Sequence, residues 1–311
     1  MIKRLKYHEI DWRKYQKCLE NSEQRIYSAE NKFLDITSKH NWELLVYGDY
    51  EAMMPIPFIK KMGFKIVVNP KLTQQLGVFS REDSIAINEK FLDFLQSNYK
   101  VWYYAFNERN KFKSHLKTRK NFVLEPDNYE NIRQKYSPKR KRKLRLNPGI
   151  VEFSEIKEKV SLSEAIKFIK INMIGAENKK DKVRFLEIIK TFSDYNLLDF
   201  YGFYFKDKLI NLVAIYQENY TSVLIGTYNI KDLVKYNGAS NLIDFAIRKN
   251  VETKKFDFEG GELSNMEEYF RGFRAEQRNY AVIENTKKQL LLSFLKKRYN
   301  FYPFNIIGFK N

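Results

Sequence analysis

Between Tyr201 and Gly261 the spacing of apolar residues changes twice, and this restricts the fold more than any other feature of the chain. From Tyr201 to Tyr228 large apolar residues alternate between turn formers. This is the pattern of two strands joined at Lys206-Asp207-Lys208 and a third at Thr221–Tyr228. Beyond a short loop, Leu242, Phe245, Ala246 and Lys249 fall at helical spacing, and a last strand ends in Phe258-Glu259-Gly260-Gly261. Gly238 stands where loop becomes helix. Without a Cβ it lets a ligand approach N–H groups that no helical carbonyl satisfies, and the helix dipole favours an anion there. Lys235, Asn237, Gly238, Ala239, Ser240 and Asn241 are therefore expected to cradle a phosphate or pyrophosphate group. The competing reading makes Gly238 a cap or a close-packing site.

The same order of elements occurs earlier. Helices are expected around Trp12–Glu20 and Ala29–Lys39. A hairpin follows at Gly48-Asp49 between Trp42–Tyr47 and Glu51–Phe58, then strand Phe64–Asn69, helix Ser84–Asn98 and strand Lys100–Phe106. Roughly 155 residues further on come helices Ser163–Ile174 and Lys182–Tyr195, a hairpin at Asp207, another strand, the helix from Gly238 and a strand from Lys254. The repeat is one of pattern, not of letters. It predicts an α/β (α+β) chain of two tandem modules, each a mixed central sheet flanked by helices. The expected division is residues 1–127, a basic linker helix over 128–147, and residues 148–311.

Within that linker positions 133–145 hold Arg133, Lys135, Lys139, Arg140, Lys141, Arg142, Lys143 and Arg145 without one acid. It is either a solvated interdomain helix, a site for a phosphate-bearing substrate or tRNA backbone gaining from counterion release, or a localisation tag. The net charge of +18 points the same way, to nucleic acid, an anionic membrane surface or phosphorylated substrates. Yet 40 of the 56 basic residues are lysines, and a dispersed lysine excess is also plain solvation.

With 43% hydrophobic residues the chain is not disordered, and no apolar run reaches membrane-spanning length. The start, MIKRLKYHEIDW, lacks a signal-peptide core, and Cys18 is alone; both fit a cytoplasmic protein, peripheral to the inner membrane surface if the basic run docks there. Cys18 lies in a helical pattern with Trp12, Tyr15 and Leu19 and reads as a small buried hydrophobe. The tail, Gln289–Lys310, is expected to be a docked terminal helix or a membrane-surface contact. His8, His40 and His115 stand far apart, so no metal is expected. The oligomeric state is left open.

The succession of hairpin, strand, Lys235-Tyr236-Asn237-Gly238-Ala239-Ser240 loop, helix and Phe256-Asp257-Phe258-Glu259-Gly260-Gly261 strand resembles the acyl-CoA N-acyltransferase (GNAT) fold. The tandem arrangement, the basic segment and Tyr269-Phe270-Arg271-Gly272-Phe273-Arg274 resemble FemABX-type acyltransferases. In the Fem peptidyltransferases an aminoacyl-tRNA is the donor and a Phe-Lys pair precedes the Gly-Phe step. Here that lysine falls on Phe270, with Arg271 beside it. The resemblance implies transfer of an acyl group from acyl-CoA or an acyl carrier protein thioester to a small-molecule, lipid or peptide amine. Aminoacyl-tRNA as donor, and a non-catalytic RNA- or membrane-binding protein on the same fold, are the alternatives. Such chemistry needs an oriented neutral amine, donors for an oxyanion and an acid for the leaving group. Glu259 is the expected base and Tyr228 the expected acid. Arg271, Gln74 and Gln75 are expected to bind the acceptor.

Overall fold

The computed structural model describes residues 1–61, 63–174, 178–261 and 264–292. They form two units, Met1–Thr118 joined by the residues from Tyr280 on, and Arg119–Asn279.

In the first unit the elements run β1 (Ile2–Leu5), α1 (Trp12–Glu20), α2 (Asn31–Ser38), β2 (Trp42–Tyr47), β3 (Ala52–Lys61), β4 (Phe64–Val68), β5 (Phe79–Ser80), α3 (Ile85–Asn98) and β6 (Lys100–Ala105). Asp11 starts α1 by accepting from the N–H groups of Arg13 and Lys14, and the helix buries Tyr15 and Leu19, one helical face. Strands β1 to β4 pair antiparallel in sequence order, with β5 on the side of β3, and β4 pairs parallel with β6.

In the second unit β7 (Lys117–Leu124) is followed by α4 (Tyr129–Lys135), α5 (Pro138–Leu144), α6 (Pro148–Val151), β8 (Ser154–Lys157), α7 (Leu162–Asn172), α8 (Lys179–Asp194), β9 (Leu198–Phe205), β10 (Lys208–Gln217), β11 (Thr221–Asn229), α9 (Gly238–Asn250), β12 (Lys255–Asp257) and α10 (Ser264–Arg271), after which β13 (Glu276–Glu284) passes from Tyr280 into the first unit. The expected hairpin turns at Lys206 and Asp207, both in the left-handed region (φ 48° and 59°), the conformation of a two-residue turn that keeps the strand twist. Strands β8 to β11 pair antiparallel in order, and β11 pairs parallel with β12. The two units thus repeat one topology, down to the short first strand and the single parallel pair.

Each sheet is completed by a strand from the far end of the other repeat. β12 receives β7, through Phe256 opposite Leu124, and β6 receives β13, through Val282 opposite Ala105. This exchange moves the expected boundary at residue 127 back to Thr118 and returns residues 280–292 to the first unit. The segment expected as a linker over 128–147 is part of the second unit, because Tyr129, Ile132 and Tyr136 enter its core. Among the described residues no helix is long and apolar enough to cross a membrane. The expected tail contact falls, beyond Leu292, outside the described residues.

Candidate active site

The two repeats differ where their parallel strands part. In the first unit β4 follows β6 as far as Val68 and Tyr103, and the chain then fills the gap with its own backbone. Asn69 N–H donates to Tyr103 O (3.2 Å), Leu76 N–H to Ala105 O (2.9 Å) and Gly77 N–H to the Tyr104 hydroxyl (3.1 Å). Gln74 and Gln75 lie in this filling segment. Gln75 is buried, its Oε1 accepts from Glu108 N–H (2.8 Å) and its amide donates to Gln74 Oε1 (3.2 Å). Both amides, expected to line an acceptor groove, are engaged in holding the segment. At the start of α3 the Ser84 hydroxyl accepts from Ile87 N–H (3.4 Å), so this helix is capped from within.

In the second unit the parallel pairing ends at Val223 and Asp257, while the antiparallel pairing with β7 runs on through Phe258 N–H to Phe122 O (3.0 Å). Among the described residues no segment pairs with β11 beyond Val223 on that side. β11 also carries a bulge there: its register against β10 slips between Ala214 and Ile215, leaving Ile225 unpaired. The N-cap of α9, Asn237, sits at φ 57° and gives no side-chain cap to the helix. Diverging parallel strands and an uncapped helix start are where backbone N–H groups remain for a ligand.

Gly238, however, is packed on one side by the protein itself. A Cβ there would overlap Asn211 Oδ1 and lie 2.8 Å from Phe203. Its lack of a side chain therefore serves close packing against β9 and β10. Asn241 donates back to Asn237 O (3.1 Å), Lys235 lies over the Tyr236 ring, and Ala239 continues the first turn. Asn211 donates to Asn229 Oδ1 (2.7 Å), while its own Oδ1 is buried without a partner.

Tyr228, on β11, folds its ring back over Gly226. Its hydroxyl is buried without a partner, and burial pushes its pKa well above that of an ordinary phenol. Such a phenol is a hydrogen-bond donor more than a proton donor, since an ordinary thiol ionises near 8.5 and holds its proton less tightly.

Glu259 opens three successive residues with positive φ: 47° at Glu259, 138° at Gly260 and 137° at Gly261. A left-handed glutamate is strained by about 1–3 kcal/mol. Two fully buried side chains hold it there. Asn121 Nδ2 and Glu259 N–H both donate to Asp257 Oδ1 (3.0 and 2.9 Å), and Gly260 N–H donates to Asn121 Oδ1 (3.2 Å). The turn fixes where the half-buried Glu259 stands, just past the end of the parallel pairing.

Ser240 and Arg271 are brought into one neighbourhood by a residue that sequence reasoning left undistinguished in the basic run, Arg140. Ser137 caps α5 and Pro138 opens it, and that register turns Arg140 inward while its neighbours stay in solvent. Its guanidinium lies 4.0 Å from the Tyr269 ring centre and 4.2 Å from that of Phe273. It donates to Ser240 Oγ (2.6 Å) and Tyr269 O (2.8 Å). Burial lowers its pKa, the neighbouring Tyr269 opposing. Arg271 is half-exposed, paired with Glu267 (2.9 Å) and in contact with Gln277. The readable signal for Arg140 was the Ser-Pro helix start three residues upstream, which sets the helical phase of the run.

A scan against protein-family models finds no match, and none is found among curated proteins. Solved structures do resemble the chain. FemX is 8% identical, with 93% of this chain and 99% of that chain covered at a TM-score of 0.62. A tandem GNAT protein from the clavulanic acid biosynthesis pathway is 8% identical over 91% of this chain and 97% of that one (TM-score 0.53). A conserved protein of unknown function from Bacteroides thetaiotaomicron is 9% identical over 91% and 100% (TM-score 0.51). At such identities the likeness is one of fold: two GNAT-like modules in tandem, the fold of the Fem-type acyltransferases.

Proposed function

We propose that this protein is an N-acyltransferase that moves an acyl group from an acyl thioester, acyl-CoA or acyl carrier protein, to an amine, with the chemistry in the second unit. One observation supports this above the others. Of two copies of the same module, the first fills the gap between its parallel strands with residues 69–77, while β11 and β12 diverge beyond Val223 and Asp257 with no such filling among the described residues. The bulged edge of β11 and the first turn of α9 would supply N–H groups to the thioester carbonyl and to the carrier's phosphates. Glu259, held by the Asp257–Asn121 turn, would take the proton from the attacking amine, directly or through water. Tyr228 would orient the departing sulfur by hydrogen bonding, given its buried and unpartnered hydroxyl.

Aminoacyl-tRNA as the donor is a second reading on the same fold, favoured by the cationic surface around α5 and by the likeness to FemX. Thermal shift against CoA and acyl-CoA, set beside filter binding of charged tRNA over a salt series, separates the two. Stabilisation by acyl-CoA and loss of amine acylation in Glu259→Gln are the expected results. A steep salt slope for tRNA with no response to CoA would replace the first reading by the second.

A further inference from the structure

The structure holds a buried positive charge that no carboxylate pairs with among the described residues, Asp244 favouring it only from a distance. Arg140 is 4% exposed, yet no carboxylate lies within ion-pair distance of it among the described residues. Its Nε is buried and makes no hydrogen bond. Taking a guanidinium out of water without an anion costs several kcal/mol, so such a group is retained where something negative meets it. The two aromatic faces and the two hydrogen bonds fix the plane of the guanidinium. Its Nε side is closed by Gly272, packed so near that a Cβ at that position would lie 3.1 Å from Nε.

Arg140 and Gly272 both line a pocket of about 360 Å³ between α5 and α10, together with Lys139, Lys143, Glu268, Arg271 and Arg274. Two of its cations are already neutralised, Lys139 by Glu268 (2.6 Å) and Arg271 by Glu267 (2.9 Å). Arg140, Lys143 and Arg274 have no carboxylate partner among the described residues; Arg274 donates only to Lys135 O (3.2 Å). Burial lowers the pKa of Lys143, and repulsion from Arg140 and Lys139 adds to it, as expected of a cation crowded by its own kind.

We infer that this pocket binds a phosphate monoester of a small molecule, gripped by Arg140 at its floor and by Lys143 and Arg274 at its mouth. Three unmatched cations suit a group carrying nearly two negative charges better than a carboxylate carrying one. The volume is that of a small-molecule site rather than of a groove tracking a polynucleotide. The inference is independent of the acyl-transfer reading, because it concerns equilibrium binding at α5 and α10 and would stand if CoA had no effect.

The test is calorimetric titration of the full chain with inorganic phosphate, phosphoserine and acetate at fixed ionic strength, repeated with a twelve-nucleotide single-stranded RNA. Phosphoserine and phosphate should compete for one site and bind at least tenfold more tightly than acetate. The exposed double variant Lys143→Glu/Arg274→Glu should weaken phosphoserine at least tenfold without lowering the Tm measured in phosphate-free buffer. Arg140→Met should abolish binding while leaving that Tm unchanged or higher, since it removes an unpaired buried charge. Binding that survives in both variants, phosphate no tighter than acetate, or RNA that phosphoserine cannot displace would each overturn the inference.

Discussion

At Gly238 the two readings of the sequence meet a geometric answer. The glycine is demanded by Asn211 and Phe203, which occupy the place of a side chain, whatever ligand the neighbouring amides serve. Gly238→Ala is therefore expected to cost about 1–3 kcal/mol of stability through overpacking. The loss should appear in urea unfolding and be relieved in part by Asn211→Ala, which vacates the contested space. Equal costs with and without Asn211 would place the glycine's role elsewhere. Glu259 is the opposite case. Its sequence signal, an acid followed by two glycines, marks a strand end, and the structure turns there through three positive φ values. What the letters concealed was the support. Asn121 lies 138 residues upstream of Glu259, and nothing local to either residue indicates that one braces the turn of the other. Arg140 was hidden differently, because in a run of cations composition alone does not say which one faces inward.

The elements legible in the sequence are those whose burial is written in their own period. α1, α3 and α9 show one apolar face, and β2, β6 and β9 to β11 are too apolar to be anything but buried strands. β1 and β8 escaped notice because IKRL and SEIK are four-residue strands at sheet edges with exposed charges and no apolar stripe. α10 reads as SNMEEYFR, mostly polar. The pairing of β1 with β2 has an electrostatic side. Glu43 on β2 is 2% exposed and takes both Arg4 of β1 (2.7 Å) and Lys65 of β4. Burial by itself would raise the Glu43 carboxyl, but the two cations prevail and its pKa is lowered in the folded chain. A carboxylate whose folded pKa lies below its unfolded value of about 4.3 stabilises the fold above that value and loses the contribution as pH falls through the folded pKa. The stability gap between the native chain and Glu43→Gln, measured by urea unfolding from pH 7 down to about 3.5, should accordingly narrow below about pH 4.5. A gap that stays constant over that range would mean that the folded and unfolded pKa of Glu43 coincide, so that the two cations do not hold its carboxyl down.

On the scale of the whole molecule the repeat is a pattern of sequence but the units are not segments of sequence. The chain enters the second unit along β7 and returns to the first along β13, so each sheet ends on a strand that the other repeat supplies. Periodicity cannot reveal this, because long-range pairing leaves no local mark. β13 is exposed or half-exposed over its first residues and buried only from Tyr280, and its partner β6 lies far upstream in the chain. The consequence is physical. Tyr280, Val282 and Ile283 are buried at 4%, 2% and 8% exposure, and the Phe106 N–H donates to Ala281 O (2.9 Å). Three large apolar side chains are worth on the order of 5–9 kcal/mol of burial, a large share of the 5–15 kcal/mol that typically holds a domain together. A fragment of residues 1–118 made alone is thus expected to be aggregated or without a cooperative thermal transition. The same fragment carrying residues 280–292 on a flexible linker should recover one, read by circular dichroism and size-exclusion chromatography. If the bare fragment melts as sharply as the extended one, the returning strand is an accessory to the first sheet and its boundary lies where the repeat in the sequence first placed it.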